Sequence, residues 1–300
     1  MRRPGRTRPR LTFGTTFALA GLPIVASALA VPLAPISAQT APSPEFRAFS
    51  YADLADLALP AQLVAGVTIV KAERLKGELA PGLAPGKARF LVQASTDMLL
   101  RGAGGMPGAV SYIVDIALDA KGKAPKLKKS RFILFADRVV GRPQEIRLTS
   151  PFSQLERTQA NESRLRAILT EASAASSPPY VTGIGNAFHV PGAIPGESES
   201  QIFLTTPDNR PISLSILRRP GEQPNWSVAL GEMVDDSATT PARDTLLWYR
   251  LACFLPSHLP ARSVAALSEA DATAVRADYR YVLEQLGACG RTIGTGPASE

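Results

Sequence analysis

Five times within residues 63–150 the chain falls into runs of largely apolar or alternating side chains. They are LVAGVTIVKAERL (63–75), ARFLVQASTDMLLRG (88–102), VSYIVDIAL (110–118), RFILFADRV (131–139) and QEIRLTS (144–150). In Phe90, Val92 and Ala94 against Arg89 and Gln93 the period is two, the pattern of a strand with one buried and one wet face. A helix cannot use that period, because neighbours on one helical face recur every three or four residues. The connections GELAPGLAPG, GAGGMPG and DAKGKAPKLKK are turn chemistry, and the chain's 23 glycines and 26 prolines supply many such turns. The expected fold class is α+β, mainly β.

Helical periodicity flanks these runs. YADLADLAL (51–59) predicts one or two helical turns stopped by Pro60, and 159–174 predicts a helix with Leu165, Ile168, Leu169 and Ala172 on one face. Over 51–174, five strands with flanking helices resemble small oligosaccharide/oligonucleotide-binding (OB) barrels, including the netrin-like kind, in element order. ASAASSPPY (172–180) then reads as a linker. YVTGIGNAFHV, SQIFLTT, PISLSIL and WSVALGEMV predict four strands of an antiparallel meander, with PDNR as a tight turn. Asp244 is expected to cap a helix through TLLWYRLACFL, ended by Pro256. Ser268, with Asp271 three positions on, is expected to cap a second. Its apolar stripe runs Ala272, Val275, Tyr279, Val282, Leu286, and Cys289 continues it. The expected division is a signal peptide (1–38), a linker (39–50), a five-stranded OB-like barrel with a trailing helix (51–174), an antiparallel sheet with two disulfide-linked helices (175–291) and a tail (292–300).

The opening predicts export. MRRPGRTRPR carries five arginines, no acid precedes Glu45, and 11–44 hold no charged side chain. A basic start, an apolar run and small residues before a polar stretch are the marks of a secretory signal. Cleavage is expected after Ala38, with Ala30 the other candidate. The alternative is an uncleaved inner-membrane anchor, since about twenty apolar residues span a bilayer; Pro23 and Pro32 weigh against it. Removing 1–38 takes five arginines from the 33 cationic residues and leaves 28 against 26 acidic, about +2 in place of +7. Most of the basic balance belongs to the signal, so nucleic acid is disfavoured as a partner. Membrane contact is expected only if the signal is retained. In an oxidising compartment, Cys253 and Cys289 are expected to form one structural disulfide.

No catalytic constellation stands out. GxSxG, SxxK, HExxH, the phosphate-loop motif and the DxDxDG calcium loop are all absent, so no catalytic residue, metal site or cofactor is assigned. GIGN in GIGNAFHVPG lacks the third glycine of a dinucleotide loop, where Phe188 stands; its glycines fit a turn or bulge. His258, in LPSHLP, is expected to face water. Glu197, Glu199 and Asp208 are candidate carboxylates, Asp235-Asp236 a solvated turn. KGKAPKLKKSR holds six cations without an aromatic to stack a base and reads as a solvated loop. A ligand surface, if built here, is expected at Asn186, Phe188 and His189 with Trp226, where an imidazole and an indole could hold a sugar or peptide.

GIGNAFHVPGAIPGE with SQIFL, SLSILRRPG and ARDTLLWYRLAC resembles a group of exported alphaproteobacterial proteins without known activity. The resemblance implies export and transfers no site residue. The expected function is a non-catalytic periplasmic binding or envelope-accessory module whose partner is an envelope ligand or protein. The alternative is a hydrolase of envelope glycan or peptide with His189 or a carboxylate as base.

Overall fold

The structure is a computed structural model that describes residues 49–231 and 238–293. The expected signal, the linker up to residue 48, the Asp235-Asp236 turn and residues 294–300 lie outside the described residues. No helix among the described residues is long and apolar enough to cross a membrane. The described residues fold as α+β, mainly β, with two antiparallel sheets and four α-helices.

The first sheet contains β1 (Leu63–Leu75), β2 (Lys87–Arg101), β3 (Ala109–Ala117), β4 (Arg131–Arg138) and β5 (Ile146–Leu148), in the order β3-β2-β1-β4-β5. A short strand the sequence pattern missed, β6 (Gln154–Glu156), also pairs with β4. β1 pairs with β2 along nearly its whole length and with β4 through Leu63 to Thr68. Three register shifts along β1, at Val64/Ala65, Gly66/Val67 and Ile69/Lys71, bend it. The sheet is not closed by a ladder, and its outer strands β3 and β5 meet only at an isolated point. Ser111 and Glu145 form an isolated parallel bridge there, and the Ser111 amide donates to Gln144 O at 2.8 Å.

RFILFA is apolar almost without alternation because both faces of β4 are covered. Leu134 and Ala136 pack inward with Leu63, Ile69, Val92 and Tyr112, whereas Ile133 and Phe135 join the helices. The helices there are α1 (Tyr51–Ala58), capped by Ser50, and α2 (Gln159–Ser173), capped by Thr158. Leu165, Ile168 and Leu169 are buried, as their spacing predicts.

The second sheet is the expected meander. β7 (Gly183–Pro191), β8 (Ser198–Thr205), β9 (Ile212–Arg218) and β10 (Asn225–Ala229) lie in the order β10-β9-β8-β7. Asn209 takes the left-handed conformation (φ 56°) in the PDNR turn, which asparagine tolerates better than most residues. The inner-face residues Ile184, Ile202, Leu214, Ile216 and Trp226 share one core with the stripe of α4 (Glu269–Leu286). Ser268 caps α4, accepting from the Asp271 amide at 3.1 Å. α3 (Leu246–Ala252) corrects the predicted cap: Thr245 accepts from the Trp248 amide at 3.3 Å, while Asp244 sits one residue earlier at φ 60°. Cys253 ends α3, Cys289 follows α4, and the two form the expected disulfide. A single core cluster runs from Ala52 to Leu286, through both expected halves.

Thr292 and Ile293, at the start of the expected tail, are held by α1. Buried Asp53 accepts from the Thr292 amide (2.8 Å) and hydroxyl (2.7 Å), the Ile293 amide (3.1 Å) and the Ser50 amide (2.9 Å). Burial pushes this carboxyl up, but the four donors outweigh it and hold Asp53 below its ordinary 3.8. A depressed carboxyl contributes stability that is complete above the unfolded-state value and is lost as pH falls through the folded-state value. Denaturant unfolding from pH 6 to pH 2 should therefore show a stability loss below about pH 4. In Asp53→Asn that component should be missing; an unchanged acid slope would refute the clamp.

Candidate functional site

Four polar side chains meet where β7, β8 and β9 face α4. His189 pairs directly with Ser200 across β7 and β8, which puts both side chains on one face. Ser200 lies in phase with Ile202 and Leu204, and Arg218 with Leu214 and Ile216, so all point toward the helix side. Asp278 belongs to the buried stripe of α4, three residues after Val275 and four before Val282. His189 Nδ1 is 2.9 Å from Ser200 Oγ. Ser200 Oγ donates to Asp278 Oδ2 at 2.5 Å, and Arg218 Nε donates to Asp278 Oδ1 at 2.5 Å.

The proton positions follow from donor counting. A carboxylate only accepts, and Asp278 is paired with Arg218. The one hydroxyl proton of Ser200 therefore goes to Asp278, and its oxygen accepts from Nδ1–H of His189. Of the two neutral tautomers, this is the one that leaves the ring lone pair on Nε2. Ser200 and Asp278 are both 0% exposed, whereas His189 is half-buried and the Arg218 side chain is 36% exposed. Ser200 cannot serve as a nucleophile at His189: its proton points away from the ring and no substrate reaches it. The arrangement orients an imidazole and leaves Nε2 to accept a hydrogen bond.

Of the residues named from sequence, His189 belongs to this cluster and the others are dispersed. Phe188 points to the opposite face, half exposed, edge-on to Phe203 with ring centroids 5.8 Å apart. Asn186 is exposed in the bulge between Ile184 and Ala187. Trp226 is buried on β10 in the same cross-strand row as His189, through Ile216 and Ser200. Three strand spacings put the two roughly 14 Å apart, too far to grip one small group. Ser200, Arg218 and Asp278 were not singled out from sequence. Each is a polar residue in phase with an apolar stripe, and that was the available signal.

The remaining candidates stand apart. Asp208 pairs with Arg210 at 2.7 Å in the β8–β9 turn, beyond the far end of β8 from Glu197 and Glu199. His258 is exposed. In the lysine-rich loop Leu127 is buried and Lys121, Lys123, Lys126, Lys128 and Lys129 are exposed, which fits a solvated loop pinned at one point. Among the described residues no three His, Cys, Asp or Glu side chains are grouped to hold a metal. No family model matches the chain, and no curated protein matches it.

Proposed function

We propose that this chain is exported to the periplasm and acts there as a non-catalytic binding or envelope-accessory module, with His189 as the acceptor of its site. The carrying observation is the chain of hydrogen bonds from His189 through Ser200 to Asp278 and Arg218. It holds the imidazole in one orientation while committing the Ser200 hydroxyl bonded to the ring to Asp278. Such a site favours ligands rich in donors, as glycan hydroxyls and peptide amides are. The basic-then-apolar opening supports export, as does the resemblance to exported alphaproteobacterial proteins. So does the Cys253–Cys289 bond, since such bonds persist in oxidising compartments. The strand order of the first sheet and the isolated Ser111–Glu145 bridge, from β3 to the residue before β5, support an OB-like barrel for residues 51–174.

The second reading, a hydrolase of envelope glycan or peptide with His189 as base, draws on the same relay. The relay fixes Nδ1 as the proton-bearing nitrogen and leaves the Nε2 lone pair as the position that could take a proton. One experiment separates the two. Purified protein is sedimented with cell-wall sacculi, and the supernatant is assayed for released fragments. The binding reading predicts retention without release and a roughly three- to tenfold loss of affinity in His189→Ala, one hydrogen bond's worth. Fragment release that His189→Ala abolishes establishes the hydrolase. Retention equal in wild type and His189→Ala rules out His189 as the acceptor.

A further inference from the structure

Arg250 is a buried cation with no ion-pair partner among the described residues. It lies on α3 and is 3% exposed, and its Nε and Nη1 are sealed from water with no hydrogen-bond partner among the described residues. The groups acting on its charge are Tyr180, Tyr249, Tyr51 and a second cation, Arg210. Arg210 is already matched by Asp208 and donates to Ser177 O at 3.1 Å. Burial pulls the Arg250 guanidinium below its ordinary value, yet a guanidinium keeps its proton in proteins. The positive charge therefore stays, and an uncompensated buried charge is among the most unfavourable features a fold can carry.

Tyr180 lies over its face, with the ring centroid 3.0 Å from Cζ of Arg250. Tyr180 is 45% exposed and belongs to no helix or strand; it follows Pro178 and Pro179 in the coil between α2 and β7. Its ring can swing outward without breaking a ladder or a helical turn. We propose that Arg250 anchors a carboxylate site closed by Tyr180, taking the free carboxylate of a peptide C-terminus or of a small organic acid. One cation whose charged neighbour Arg210 is already matched by Asp208 calls for a monoanion; a dianionic phosphate would leave the site with excess negative charge. The guanidinium edge matches a planar carboxylate, and the tyrosine rings provide apolar walls for the carbon behind it.

The site is separate from His189, and its test does not depend on the reading given there. The full chain is titrated at constant ionic strength with propionate, with Ala-Ala, with the C-terminal amide of Ala-Ala and with phosphate, read by calorimetry and by melting temperature. Saturable binding of Ala-Ala but not its amide identifies a peptide terminus as the source; saturable binding of propionate alone identifies a small acid. Arg250→Met should weaken either response at least about tenfold, because a charge-assisted pair is lost. His189→Ala should leave it unchanged. Tyr180→Ala retains Arg250 and should bind the same carboxylate at least as tightly as wild type, so the proposal stays testable if Arg250→Met does not fold. Silence from both wild type and Tyr180→Ala overturns the proposal, as does an equal response in Arg250→Met or tighter binding of phosphate than of either carboxylate.

Discussion

Asp278→Ala is expected to destabilise the chain by about 3–5 kcal/mol, the usual effect of removing one member of a buried ion pair. The carboxylate is fully buried and serves two donors at once. Without it the Ser200 hydroxyl, itself sealed from water, can turn only toward Nδ1 of His189, and the imidazole loses the group that fixes its tautomer. The partial exposure of Arg218, 36% for its side chain, lets water replace part of its loss and places the expectation toward the lower end of that range. Asp278→Asn tests geometry as well as charge. Its oxygen can still accept from Ser200, but its amide would face Arg218 Nε donor to donor, so recovery should be partial. Urea unfolding measures both variants: the midpoint should fall while the slope stays constant. A loss below about 1 kcal/mol for Asp278→Ala would mean that the relay is not formed in solution.

Reducing the Cys253–Cys289 bond should lower stability by about 4 kcal/mol, as the chain-entropy model gives for a loop of this length. The bond joins residues 36 apart. For a folded body of this size, that corresponds to a fall in melting temperature of roughly 8–16 °C. Little of the loss is expected from the native side. Trp248 Nε1 donates to Leu286 O at 2.9 Å, and Arg291 pairs with Asp56 at 2.6 Å, so the ends of α3 and α4 keep other ties. The effect should therefore appear as greater freedom of the unfolded chain, with near-ultraviolet circular dichroism of the reduced protein below its transition little changed. Equal melting temperatures with and without reductant would contradict this account.

Much of the secondary structure was readable in advance, for reasons visible at single positions. The α4 stripe from Ala272 to Leu286 is buried at every step, because each helical turn must present its apolar residues to the same neighbour. Ser268 could be read as a cap because capping is settled within four residues. The helix start at α3 misled because Asp244 and Thr245 are both good caps, and the Trp248 amide lies within reach of Thr245. β6 escaped notice since three residues hold no period. What pairs it is β4, whose Phe132, Ile133 and Leu134 oppose it.

The candidate site was legible only in part. His189 drew attention as one of two histidines, and Phe188 beside it seemed a natural companion, yet adjacent residues on a strand face opposite ways. The true companions looked unremarkable alone: a serine, an arginine and an aspartate, each out of character on an apolar stripe.

Periodicity, turn chemistry and the paired cysteines settle which segments become strands and helices and which two sulfurs join, since those choices rest on neighbours close along the chain or on there being no other partner. That Ser200 meets Asp278 across 78 residues and Arg218 meets it across 60 was decided by how α4 docks on the second sheet. So was the stranding of Arg250 beneath Tyr180. Local patterns specify which face of an element is buried, whereas the contents of a buried polar cluster depend on packing between elements far apart in sequence.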